Sequence, residues 1–204
     1  MVKMIVTWPR NEFQRLNIRN PKDISQHKMR YGYGFGQEGW YSLIREGQNL
    51  PEFEVEEVGR TKIKTIFVPW EVNVLTSRLS TPKTIRDILD AQCFQGKLNS
   101  SSASYNYYLP KIFYRAFDYE NSSYDRICDR TGNEILGGLI TNIRKYVLFE
   151  SQIGDAPLFR ILGGDDEVGI RQKVFCTDEF YELCKPFEPT GLKFFDVEIN
   201  RCDA

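Results

Sequence analysis

The chain has 204 residues, with 27 basic and 28 acidic side chains and a formal charge of −1. That balance supplies no long-range attraction to nucleic acid or to an anionic membrane. An apolar content of 41% with 14% aromatics excludes a disordered chain, and a domain of this size buries roughly 70% of its unfolded surface without needing a disulfide or a metal.

The chain opens on Met1-Val-Lys-Met-Ile-Val-Thr-Trp-Pro9, an apolar patch too short for a signal peptide and interrupted by proline. No run of about twenty apolar residues follows anywhere, so no membrane span is expected. His27 is the single histidine, set in a polar, basic stretch with no acid or cysteine close by. Any histidine chemistry must pass through it, and the expected role is a solvent-facing side chain. Gly34-Phe-Gly-Gln-Glu-Gly39 is a literal GxGxxG, but Ser25 to Arg30 before it is not a buried strand. A dinucleotide site needs that strand, so these glycines read as a turn leading into a helix carrying Trp40, Leu43 and Ile44.

Phe53 to Glu56 alternates, and Lys62 to Val68 partly does, with Gly59-Arg60 between them. This predicts a hairpin with an acidic strand facing a basic one. Thr81 before Pro82 predicts a helix start, with Ile85, Ile88 and Leu89 as its apolar stripe. The tract Asn99-Ser-Ser-Ser-Ala-Ser104 is either a linker between lobes or a long loop. Tyr105 to Phe117 reads as extended, with Pro110 pushing it to an edge or splitting it. Asn142 to Phe149 is assigned to a strand.

The last fifty residues are the most regular. Pro157 to Ile161 and Lys173 to Thr177 read as strands joined by an acidic glycine turn. Thr177 then stands at a helix N-cap, and Asp178 and Glu179 favour the positive end of the helix dipole. Phe180, Leu183 and Cys184 form one apolar stripe, Pro186 stops it, and Thr190 to Phe195 makes a further strand. Strands dominate and regular strand–helix alternation is missing, which predicts an α+β fold of largely antiparallel sheet. The expected organisation is an N-terminal α+β lobe over 1–98 and a C-terminal lobe over 105–204, or a single domain.

Chemistry is sparse in this sequence. The five cysteines, Cys93, Cys128, Cys176, Cys184 and Cys202, include no CxxC and read as buried reduced thiols in a cytoplasmic protein. Asp118 and Glu120 would share one side of a strand, and Asp165 to Glu167 cluster in a turn; either group could serve acid–base work or hold a cation. A capping role for Asp118 and a solvated hairpin tip for the second group are the plainer readings. Two aromatic clusters, around Tyr31, Tyr33 and Phe35 and around Tyr105, Tyr107 and Tyr108, suit protein contact, where Tyr and Trp give large area at low entropic cost. Core packing and base stacking are the other readings of those rings.

Several stretches, in order, resemble a bacterial family of immunity proteins from polymorphic toxin systems, the eleventh such family, once catalogued as a domain of unknown function. Asp118-Tyr-Glu-Asn-Ser-Ser123 resembles its aspartate-plus-serine motif, and Ile143 to Phe149 with Phe159-Arg-Ile-Leu162 its apolar segment and Phe-Arg-Leu strand. Phe175-Cys-Thr177 is similar to its Val-Ser helix start, and Thr190-Gly-Leu-Lys-Phe194 to its closing strand. The resemblance spans about residues 107–198 and carries over no catalytic residue. It implies a non-enzymatic protein, without cofactor or metal, that neutralises a cognate toxin encoded beside it by tight protein–protein binding. The contact residues expected on that reading are Tyr31, Tyr33, Phe35, Tyr105 and Tyr107. The competing expectations are a small hydrolase using Asp118 and Glu120 or a cysteine paired with His27, and a single-strand nucleic-acid-binding module.

Overall fold

A computed structural model describes residues 1–7, 15–19, 49–58, 65–68, 74–126, 128–134, 140, 142–162, 173–187 and 190–202. In chain order its elements are β1 (Val2–Thr7), β2 (Arg15–Ile18), β3 (Phe53–Val58), β4 (Leu75–Arg78) and α1 (Lys83–Gln92). Next come β5 (Cys93–Asn99), β6 (Ser104–Pro110), β7 (Phe113–Tyr114), β8 (Val147–Phe149) and β9 (Leu158–Ile161). The chain continues with β10 (Val174–Thr177), α2 (Asp178–Cys184), β11 (Leu192–Asp196) and β12 (Glu198–Asn200). His27, the GxGxxG glycines, the Trp40 helix and the acidic turn Asp165 to Glu167 lie outside the described residues.

The strands form one five-stranded sheet in the order β11-β1-β10-β9-β7, a second in the order β2-β3-β5-β6-β4, and a parallel pair β12-β8. Most neighbours are antiparallel, and the parallel contacts are β3 with β5, β7 with β9, and β8 with β12. The fold is therefore mostly sheet and antiparallel-dominated, with two α-helices among the described residues.

Burial explains the register. On β3, Phe53 and Val55 are buried while Glu54 and Glu56 are exposed, the period-two alternation of a sheet with one wet face. On β9 all four residues are buried, because both faces of that strand are covered. Its Leu158 joins a cluster with Ile5, Leu75, Cys93, Tyr108, Ile85, Leu89 and Phe180, drawn from both sheets and both helices. Phe159 and Ile161 point the other way, to a cluster with Phe117, Tyr146, Leu148 and Phe175. A third cluster, with Leu16, Phe53, Val55, Leu98, Tyr105 and Tyr107, lines the opposite face of the second sheet.

The polar tract 99–104 is a hairpin turn, with the β5–β6 ladder running from Cys93 opposite Pro110 to Asn99 opposite Ser104. Strands from either side of the 98/105 division share sheets: β6 joins β5 and β4, and β1 lies between β10 and β11. The hairpin expected between Phe53–Glu56 and Lys62–Val68 is not what β3 makes. Its edges go to β2 and β5, and Phe67 bridges Ser77. Proline does split the Tyr105–Phe117 stretch, since β6 ends at Pro110 and β7 begins at Phe113. From Asn142 to Phe149, only Val147–Phe149 forms a strand.

Of the three expected helices, the two that fall on described residues are present. α1 buries Ile85 and Leu89, but its cap falls on Pro82, one residue late. Thr81 is spent on the preceding turn, donating from its hydroxyl to the Arg78 carbonyl at 2.7 Å. α2 begins after an extended Thr177 with Asp178 and Glu179 in its first turn, although the threonine hydroxyl does not close the cap. Among the described residues no helix is long and apolar enough to cross a membrane.

Candidate contact surface

Tyr105 and Tyr107 are fully buried, which corrects their assignment as contact residues. Both belong to β6, an inner strand buried from Tyr105 to Pro110 because clusters cover each of its faces. The Tyr105 hydroxyl donates to Glu57 Oε1 at 2.5 Å, where Ser102 (2.7 Å) and Ser100 (3.2 Å) also donate. The Arg78 guanidinium lies 5.3 Å over the Tyr105 ring and donates to its oxygen at 3.2 Å. Burial, reinforced by the bond to Glu57, pushes the Tyr105 hydroxyl up to about 12, so it remains a donor. Burial would raise the Glu57 carboxyl, but the bonds from Tyr105, Ser102 and Ser100 outweigh it and hold the group below its ordinary value. Tyr107 donates to the Pro51 carbonyl at 2.7 Å, and burial raises its hydroxyl too. Tyr31, Tyr33 and Phe35 lie outside the described residues.

The acidic pair is likewise rearranged. Asp118 and Glu120 do not share a strand face: Asp118 is buried and Glu120 is exposed in the turn that follows. Asp118 Oδ1 accepts from the backbone amides of Glu120 and Asn121, both at 3.0 Å, and Oδ2 from the side-chain amides of Asn121 and Asn200, both at 2.7 Å. Burial alone would raise this carboxyl, but those bonds outweigh it and hold it below the usual carboxylate range. The group ties a turn to β12 and offers no oxygen free of a donor. Cys93, Cys176 and Cys184 are buried, and burial raises each thiol, Cys184 to about 12. The thiolate is the nucleophile, so these three are packing groups. Cys128 and Cys202 are exposed. Among the described residues no three His, Cys, Asp or Glu side chains are placed to hold a metal.

The described residues between Phe117 and Leu148 form an irregular hairpin, held by single bridges at Phe117–Leu148, Ser123–Lys145, Arg126–Ile140 and Cys128–Glu134. Its base is buried through Phe117, Tyr146 and Leu148, whereas every residue from Cys128 to Glu134 is exposed. The tip has its own order. Asp129 Oδ1 accepts from the Thr131 amide (2.8 Å), the Thr131 hydroxyl (2.7 Å) and the Asn133 amide (3.0 Å), and Gly132 supplies φ +87°. Between base and tip stand two half-buried rings. Tyr119 and Tyr124 meet edge to face at 6.1 Å and 88°, each against Phe117 at 5.0 and 5.9 Å. The Arg126 guanidinium lies 5.4 Å over Tyr124 and pairs with Glu134 at 3.6 Å.

Sequence reasoning missed these rings because it sought dense aromatic clusters. The available signal was their setting: Tyr119 and Tyr124 flank Glu120-Asn-Ser-Ser123, turn-forming polar residues that bring aromatics to a surface.

No family model and no curated protein matches the chain. The short motifs of the family resemblance fall on turns and strands. Asp118 anchors the hairpin base, Phe159-Arg-Ile161 lies in β9, Phe175-Cys-Thr177 forms most of β10, and Thr190 to Phe194 leads into and forms most of β11.

Proposed function

We propose that this protein is a non-catalytic binding protein, an immunity protein that neutralises a cognate bacterial toxin by tight association in the cytoplasm. One observation carries the reading: the residues that resemble the immunity family make a scaffold. Asp118 spends both carboxylate oxygens on a turn and on Asn200. Phe159 and Phe175 stack at 5.9 Å and 17° in the core, and Cys176 is fully buried. Gly191 takes a φ of +86° beside Phe67. A rigid scaffold holding surface loops is what a preorganised binder needs, because association then costs little ordering. An interface of standard size, on the order of 1,600 Å², fits on a chain of this length.

The test is purification of the tagged chain from its native host through a stringent salt wash. Co-elution of one protein at fixed stoichiometry, encoded beside this chain and toxic when expressed alone, is the expected result. A chain that retains no protein while such a neighbour is expressed contradicts the reading. In that case retention on a polynucleotide column, weakening steeply with salt, would indicate the nucleic-acid-binding alternative.

A further inference from the structure

We draw no further inference here: the strongest candidate, the side-chain cluster of Ser100, Ser102 and Tyr105 around the Glu57 carboxylate where the β5–β6 turn meets β3, carries nothing, because its three hydroxyls are spent on tying that turn to β3 and nothing in the structure shows what covers it.

Discussion

Gly96 and Tyr107 face each other directly across β5 and β6, and the tyrosine ring fills the space a side chain at Gly96 would need. A Cβ built on Gly96 would fall deep inside the contact distance of Tyr107 Cζ and its hydroxyl. The ring cannot swing away freely, because it is buried and its hydroxyl is held by Pro51. Glycine in a strand is costly in entropy, and here a cross-strand aromatic covers the gap it leaves.

Gly96→Ala should therefore destabilise the protein by about 1–3 kcal/mol, the range of overpacked cores. Tyr107→Phe removes only the hydroxyl and should cost about 1 kcal/mol. Urea unfolding at constant m-value checks the order; an alanine at 96 that costs nothing would show that the ring is not fixed there.

Gly191 and Gly132 separate two reasons for glycine. Both have positive φ, +86° and +87°. Nothing lies within 4 Å of a Cβ at Gly132, whereas at Gly191 it would collide with the Phe67 carbonyl oxygen and approach Thr65 Cβ at 3.2 Å. Gly132→Ala should cost only the left-handed backbone term, about 1–2 kcal/mol. Gly191→Ala should cost more, because the Phe67 amide is bonded to the Thr190 carbonyl at 2.9 Å and pins the neighbour. Paired thermal melts give the ranking; equal losses would mean that the Phe67 segment yields.

Asp118 carries the acid sensitivity of the turn it ties to Asn200. Its folded carboxyl is held below the unfolded value, so its contribution is complete above the unfolded carboxylate range, roughly pH 4, and is lost as pH falls through the folded value. Asp118→Asn should cost about 2–3 kcal/mol at neutral pH, as bonds to a charged acceptor are lost. The gap between wild type and variant should close on acidification below that range. A gap that stays constant with pH would show that the carboxylate's charge contributes nothing. The hydrolase alternative, which uses either Asp118 and Glu120 or a cysteine paired with His27, predicts that this variant or His27→Ala abolishes function; retained protection in both folded variants sinks it.

Thiol accessibility gives a further check. Cys128 and Cys202 are exposed, and Cys93, Cys176 and Cys184 are buried and disfavoured as thiolates. A polar alkylating reagent should add two labels to the native protein and five in denaturant, counted by intact mass. Rapid labelling of Cys176 in the native state would contradict the packing of β10.

The C-terminal strands and α2 were legible because their signals are local: a Gly-rich turn, an N-cap threonine, acids in the first turn and one apolar stripe. What escaped depends on distant partners. Val2 pairs with Thr177 and Lys3 with Asp196, and nothing in the opening residues announces a strand destined for the middle of a sheet made of late ones. The β3 pairing failed for a related reason, since the alternation of Phe53 to Glu56 specifies a buried face but not which neighbours take its edges. Tyr105 and Tyr107 misled because aromatics interleaved with polar residues look the same on a surface strand and on an inner strand covered on both faces. The described residues between Phe117 and Leu148 had no periodicity to read, being held by single bridges and side-chain bonds.

The most direct test of the central claim is the stoichiometry of neutralisation. Purified chain is titrated into a fixed amount of the identified toxin while the toxin's own activity is followed. A binding protein titrates its target, so activity should fall linearly and vanish at a fixed molar ratio, with the endpoint moving in proportion to toxin concentration. Complete and lasting neutralisation at a small fraction of one equivalent would mean turnover, and would contradict the account.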